Sequence, residues 1–165
     1  MTASRFSDYW LPAVIVALDQ ATKAAVRARF DLGDSVAVLP GFFNLTRVHN
    51  SGAAFGMLND IDFPFKTVLL AIVAAAALAG LASYAAGLPR EHWVARLGLA
   101  CIIGGAAGNL IDRLALGFVV DFFDFYWQGW HFWAFNIADA AITVGVAFMI
   151  LDMLGVGRHR VSRTV

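Results

Sequence analysis

Three aspartates lie near one another in the last third of the sequence, each among large apolar residues. Asp121 and Asp124 occur in FVVDFFDF (residues 118–125), and Asp139 occurs in FNIADAAITVG (135–145), which opens the last long apolar run. A carboxylate at membrane depth is costly, so it usually faces a protein interior or water and serves a function. When two such carboxyls lie close together they cannot both ionise easily, and the pair shares one proton near neutral pH. The pattern therefore indicates an acid and a base in one site.

An acidic pair of this kind can hydrolyse a peptide bond. Its ionised member can deprotonate a water while its protonated member polarises the peptide carbonyl, so neither a metal nor a covalent intermediate is needed. The four histidines, His49, His92, His131 and His159, are spread over different segments and form no HExxH motif or other paired ligand spacing. We therefore expect no metal and no cofactor.

Asparagines accompany the acids at helical spacing. Asn109 and Asp112 are three residues apart, and Asn136 and Asp139 repeat that arrangement, so each pair lies on one helix face. If the two helices that carry these pairs pack as neighbours, the polar groups converge at one membrane surface. The asparagines could also be only helix caps or interhelical hydrogen-bond partners.

The acids have simpler interpretations too. Asp139 could occupy a first helical turn, where the helix dipole favours a negative charge. Asp121 and Asp124 could be solvated loop acids, and we favour that interpretation for Asp124. Asp112 lies beside Arg113 in the sequence, which favours a structural ion pair between them.

The elements that position these residues are predicted from composition. The chain is 60% hydrophobic and 15% charged, with a mean hydropathy of +0.70, which is typical of a membrane protein. A helix needs about 20 apolar residues to cross a bilayer, and four runs approach that length, at about 10–30, 65–86, 94–116 and 132–154. We predict an all-α polytopic membrane protein with four transmembrane helices, in one domain over residues 1–165. In the third run, Gly104 and Gly108 form a small-residue face that lets another helix approach closely.

The first run is the weakest of the four. Its apolar core, WLPAVIVAL, is only nine residues long, so a cleavable signal peptide is an alternative. Against that alternative, Asp19 and Lys23 are four residues apart and can neutralise each other on one face of a retained helix.

The two segments on the opposite side from the termini differ in character. Residues 31–64 contain SVAVLPGFFNLTRVHN, in which apolar residues alternate with smaller or polar ones around Pro40-Gly41, and this pattern predicts short strands at the membrane surface. Residues 117–131 are predicted to be a short aromatic loop. Phenylalanines, tyrosine and tryptophans in or beside both segments predict an interfacial aromatic belt.

Flanking charges predict the orientation. The terminal side carries Arg5, Arg90, Arg96, Arg158, Arg160 and Arg163, whereas the opposite loops carry Arg47 and Lys66. Since cytoplasmic loops are enriched in Lys and Arg, we expect both termini in the cytoplasm and the acidic site near the external face. The formal net charge of zero argues against a nucleic-acid partner.

Five stretches together resemble the motifs of bacterial lipoprotein signal peptidase, also called signal peptidase II. They are DQATK (19–23), NSGAAFG (50–56), GNLIDR (108–113), VVDF (119–122) and FNIADAAITVG (135–145), in family order along the whole chain. The resemblance implies a four-helix aspartyl endopeptidase of the inner membrane, here expected to be a monomer. Its substrates are diacylglyceryl-modified prolipoproteins, which it cuts on the amino side of the lipidated cysteine.

The resemblance also implies roles for matched residues. Asp121 and Asp139 match the catalytic aspartates. The residues expected to bind substrate or support the site are Asn50, Gly52, Asn109, Asp112, Arg113, Asn136, Asp19 and Lys23. Asp124 is an additional carboxyl that could compete with Asp121 as the partner of Asp139, and only the VVDF register favours Asp121.

Three other functions compete with this interpretation. A proton-coupled transporter also needs intramembrane carboxylates, although the acids gather at one end of the chain's helices and no internal repeat is detectable. A serine peptidase could use Ser51 with Lys23 or Lys66. A purely structural membrane subunit is the third possibility.

Overall fold

The computed structural model describes residues 3–53, 57–58, 61 and 63–156, with side chains from residue 10 onward. The helices are α1 (Ala3–Arg29), α2 (Lys66–Gly87), α3 (Trp93–Leu116) and α4 (Ile137–Met153). The strands are β1 (Ser35–Leu39), β2 (Phe43–Asn50), β3 (Val119–Trp127) and β4 (Trp130–His131). The described residues therefore contain four helices, which overlap the predicted ranges, although α1 begins seven residues earlier than predicted.

Two of the described helices, α2 and α3, are long and apolar enough to cross a membrane. Apolar side chains of α2, including Val68, Ile72 and Val73, are exposed on the protein surface, as expected for a helix that contacts lipid. Helix α4 is shorter, at 17 residues, and the second half of α1 carries charged residues.

Glycines of α3 allow two other helices to approach it. A Cβ added at Gly104 would lie 3.0 Å from the Cα atom of Pro12 in α1, and one added at Gly108 would lie 2.6 Å from Oδ2 of Asp19. A Cβ on Gly105 would collide with the backbone carbonyl of Ala138 in α4. The predicted close approach is confirmed, and it brings both α1 and α4 against α3 beside the polar residues.

The strands form one antiparallel sheet in the order β1-β2-β3-β4. The short strands predicted within residues 31–64 are confirmed as β1 and β2. The prediction of a loop for residues 117–131 is wrong, because β3 spans nine of them. One edge of β3 pairs with β2, and its other edge pairs with β4 and with Phe135. A strand paired on both edges and covered on both faces lacks the polar alternation that marks a half-exposed strand.

Helix α4 begins at Ile137, five residues later than predicted. The preceding apolar residues continue the sheet instead: the backbone N–H of Phe132 donates to the carbonyl of Phe125 at 2.8 Å, and that of Phe135 donates to the carbonyl of Phe123 at 3.1 Å. Asn136 then caps the helix. The end of the sheet and the start of α4 therefore meet at Asn136.

Candidate active site

Asp121 and Asp139 come together around Asn136, the N-cap of α4. Asp121 lies on β3 and is only 2% exposed. The side-chain N–H of Asn136 donates to Oδ1 of Asp121 at 2.7 Å. The backbone N–H of Asn136 donates to Oδ2 of Asp139 at 3.2 Å, and Oδ1 of Asn136 accepts from the backbone N–H of Asp139 at 3.0 Å. One capping residue therefore contacts both carboxyls of the acidic pair, Asp121 and Asp139.

The two remaining carboxyl oxygens also accept amide hydrogen bonds. Asn50 donates to Oδ2 of Asp121 at 3.1 Å, and Asn109 donates to Oδ1 of Asp139 at 2.8 Å. Each of the four oxygens thus has an N–H donor, so both carboxyls are held in fixed orientations. The caps and interhelical bonds expected for Asn109 and Asn136 are present, and they act directly on the acidic pair.

A buried lysine orients Asn109. The ammonium of Lys23 lies 2.8 Å from Oδ2 of Asp19 and 3.0 Å from Oδ2 of Asp112, and it donates to Oδ1 of Asn109 at 2.9 Å. Because an ammonium can only donate, this contact fixes the amide oxygen of Asn109 toward Lys23 and its NH₂ group toward Asp139. The predicted Asp19–Lys23 pair is confirmed. Such a packed network also argues against α1 as a cleavable segment.

The ion pair predicted between Asp112 and Arg113 is wrong. Adjacent residues on a helix point in different directions, and Asp112 instead accepts from Lys23 and from the backbone N–H of Val120 at 3.1 Å. Arg113 donates to the carbonyl of Gly52 at 3.0 Å. The N–H of Gly52 donates in turn to Oδ1 of Asn50 at 3.0 Å. Arg113 therefore holds the loop segment that presents Asn50 to the site.

Gln20 is a site-supporting residue that sequence reasoning missed. Its side-chain N–H donates to Oδ1 of Asp112 at 3.0 Å and to the carbonyl of Gly108 at 3.1 Å. Oδ1 of the neighbouring Asp19 accepts from the backbone N–H of Ala138 at 3.0 Å. These bonds join α1 to α3 and to the first turn of α4. The available signal was the position of Gln20 inside DQATK.

Asp124 does not compete with Asp121, and the prediction of a solvated carboxyl is wrong. Asp124 lies on β3 opposite Asn44 of β2, whereas Asp121 lies opposite Val48. It is 8% exposed. Its oxygens accept from Asn44 at 2.9 Å and contact Nδ1 of His131 at 2.9 Å.

The environment of Asp121 suits an acid that keeps its proton near neutral pH. Burial raises the pKa of Asp121 to about 7, and the neighbouring charge of Asp139 acts in the same direction, while hydrogen bonds from Asn50 and Asn136 and the charge of Lys23 oppose the rise. An acidic pair in which one member is protonated at neutral pH is equipped for general acid–base catalysis.

Ser51 and Lys66 are also in contact, which bears on the serine-peptidase alternative. The ammonium of Lys66 lies 3.3 Å from Oγ of Ser51, but it also donates to the carbonyls of Leu58 at 3.2 Å and Ile61 at 2.9 Å. A general base needs a free lone pair facing the hydroxyl. Nζ of Lys66 is held by the two carbonyls, so the geometry favours a structural role for Lys66.

Comparisons with other proteins agree on one family. A family model described as Signal peptidase (SPase) II matches residues 11–155. The lipoprotein signal peptidase of Shewanella loihica is 48% identical over 144 residues, covering 87% of this chain and 84% of the relative. That of Symbiobacterium thermophilum is 44% identical over 148 residues, covering 90% of this chain and 94% of the relative. The solved structure of a bacterial membrane enzyme matches with a TM-score of 0.82 at 31% identity, covering 96% of this chain and 94% of that one.

Proposed function

Because this chain belongs to the signal peptidase II family, we propose that it removes signal peptides from prolipoproteins as an aspartyl endopeptidase, with Asp121 and Asp139 as its catalytic residues. The observation that carries the proposal is the contact of Asn136 with both carboxyls. The family comparisons give no support to the transporter alternative.

In the proposed reaction, the acidic pair activates a water without a covalent intermediate. Asp121, protonated near neutral pH, transfers its proton to the scissile carbonyl oxygen, and Asp139 accepts a proton as the water oxygen attacks the carbonyl carbon. The C–N bond then breaks, the proton held by Asp139 passes to the leaving amine, and Asp121 recovers its own proton. The leaving amine is the amino group of the lipidated cysteine, and the new carboxylate belongs to the signal peptide.

The surrounding residues keep the two carboxyls in position during these transfers. Asn50, Asn109 and Asn136 supply fixed N–H donors, so little reorganisation accompanies the change in charge. Lys23 holds Asn109 from behind, and Arg113 holds the loop at Gly52. We propose positioning roles for Lys23 and Arg113.

We further propose that residues 1–165 form one integral-membrane domain in which all four helices span the inner membrane. At 1.5 Å per residue, α1 is about 40 Å long and α4 about 26 Å, against a hydrocarbon core of about 30 Å. With both termini in the cytoplasm, the sheet and the acidic pair lie near the external face. A lipidated cysteine is anchored by its acyl chains at that boundary, where the pair can reach its peptide bond. The protein is expected to act as a monomer.

The test is cleavage by the purified protein of a prolipoprotein with and without its diacylglyceryl group. We expect cleavage of the modified form only, at the bond before the cysteine, and loss of cleavage in Asp139→Asn. Equal cleavage of both forms would overturn the proposed substrate class. Full activity of Asp139→Asn would overturn the aspartyl mechanism.

A further inference from the structure

An aromatic groove of about 400 Å³ opens on the sheet beyond the acidic pair. Its described lining residues are all aromatic: Phe42, Phe125, Tyr126, Trp127, Trp130, Phe132 and Phe135. Ligand sites commonly have volumes of about 300–1,000 Å³ and mostly hydrophobic walls. This groove therefore has the size and the lining of a binding site, and the proposed peptide hydrolysis does not use it.

The groove lies close to the acidic pair along two segments of the chain. On β3, the lining residues Phe125 and Trp127 follow Asp121. Phe125 is four positions from Asp121, which corresponds to about 13 Å at 3.3 Å per residue. On the neighbouring segment, Phe135 lines the groove and directly precedes Asn136, which binds Asp121. A molecule bound at the acidic pair can therefore reach the groove along these segments.

Contacts among the walls hold the groove open. The ring of Phe125 stacks on that of Phe135 at 5.8 Å and meets that of Phe42 edge-on at 5.4 Å. Beside the groove, the ring of His131 on β4 stacks on that of the lining residue Tyr126 at 5.1 Å, and His131 contacts Asp124 at 2.9 Å.

The described lining residues offer an occupant few hydrogen-bonding partners. Tyr126, the one described lining residue with a hydroxyl, accepts from the backbone N–H of Gly41 at 2.7 Å. The indole N–H groups of Trp127 and Trp130 can donate but not accept, and no described lining residue is charged. A peptide segment bound there would leave most of its backbone N–H and C=O groups without partners, which is unfavourable, whereas a hydrocarbon chain has no such groups. The occupant that fits is an acyl chain.

We propose that the aromatic groove binds one acyl chain of the diacylglyceryl group on the substrate cysteine. The inference rests on the proposed function, which places that cysteine at the acidic pair, with its lipid about 13 Å or less from the groove along β3. A substrate held at the pair presents its chain to the groove at a high effective concentration. This tethering favours the substrate's own chain over a chain from a bilayer lipid. The groove would thus contribute to selection of the lipidated substrate.

The test compares one prolipoprotein carrying either a dipalmitoylglyceryl or a diacetylglyceryl group, in detergent micelles at equal enzyme concentration. The measured quantity is the ratio of kcat/KM for the long-chain substrate to that for the short-chain substrate. Trp130→Ala, which removes a wall of the groove, should lower this ratio about tenfold through a higher KM for the long chain. Trp133→Ala is the matched control, because Trp133 is similarly exposed, at 55% against 63%, but lies outside the lining. It should leave the ratio within about twofold.

Equal effects of Trp130→Ala on both substrates would overturn the acyl-chain site. An equal fall in the ratio with Trp133→Ala would also overturn it. The same assay repeated in bilayer vesicles distinguishes the lipid sources: an effect of Trp130→Ala that is seen only there, and equally for both substrates, would assign the groove to bilayer lipid. If Trp130→Ala does not fold, Phe42→Ala tests the opposite wall by the same ratio. Failure of the wild-type protein to cleave either substrate would instead count against the proposed function.

Discussion

Replacing Asp121 with Asn should abolish cleavage while leaving the protein folded, because it removes a titratable group and preserves its size. Loss of general acid–base catalysis typically lowers a rate by about 10² to 10⁴. Asp124→Asn is the matched control, three residues away on the same strand. Its side chain contacts Asn44 and His131 instead of Asn136, so this variant should retain most of the activity.

The same substitution should change the pH dependence of stability in a defined direction. The pKa of Asp121 rises from 3.8 to about 7 in the folded protein, so between these values the folded state holds a proton that the unfolded state has lost. Folding stability therefore falls as pH rises through this window, by roughly 4 kcal/mol in total from this group. The stability of the Asp121→Asn variant should not fall in this way, because Asn does not titrate.

Hydrogen bonding determines the difference in stability between Asp121→Asn and the wild type at low pH. Both oxygens of Asp121 accept from asparagine NH₂ groups, so the NH₂ group of an introduced Asn must face one of those donors. This mismatch should destabilise the variant by about 1–3 kcal/mol. We expect the variant to be less stable than the wild type near pH 4 and as stable or more stable near pH 8.

The assay is cleavage of diacylglyceryl-modified prolipoprotein at equal protein level, with thermal unfolding in detergent measured across this pH range. Normal cleavage by Asp121→Asn together with an inactive Asp124→Asn would mean that Asp124 is the partner of Asp139. Normal cleavage by both would refute the aspartyl mechanism. A constant stability difference between wild type and Asp121→Asn at all pH values would refute the raised pKa.

Four further outcomes are expected. Asp112→Asn should lower the thermal midpoint and the yield together with activity, since it weakens the buried contact with Lys23, and breaking such a pair costs about 3–5 kcal/mol; an unchanged midpoint would contradict this. Ser51→Ala should still cleave, and an inactive but folded variant would revive the serine mechanism. The pH profile of activity should be bell-shaped, with an alkaline limb near 7 as Asp121 loses its proton. EDTA should leave the rate unchanged, and a loss of activity that added metal restores would count against the mechanism. A reporter inserted at Gln128 should be external and one fused to the carboxyl terminus cytoplasmic, and an external carboxyl terminus would overturn the orientation.

The sequence predicted those features that depend on local periodicity. Run length located the four helices, alternation around Pro40-Gly41 located β1 and β2, and spacing of four residues paired Asp19 with Lys23. These patterns reflect the environment of each segment and require no knowledge of its tertiary partner. The motif register also favoured Asp121 over Asp124, in agreement with the hydrogen-bond partners of the two side chains, which are Asn136 for Asp121 and Asn44 for Asp124.

The errors share a physical cause, which is that the deciding partner comes from a distant segment. Asp112 pairs with Lys23 only because Gly108 lets α1 approach α3. Asp124 is buried because the hairpin returns His131 to its side. Strand β3 was missed for the same reason, since pairing on both edges allows apolar residues at successive positions. None of these partners is specified by spacing along the chain.

Asn136 links the start of α4 to the acidic pair, because one side chain serves both. Its side-chain oxygen caps α4 at the N–H of Asp139, and its NH₂ group binds Asp121. An Asp at this position could still cap the helix, but it would place a third carboxylate against Asp121 in a buried site, where like charges oppose ionisation. A Ser could cap the helix but would be too short to span both contacts. Among the common helix caps, Asn is the one that accepts through one side-chain atom and donates through another, so α4 begins where the acidic pair requires it.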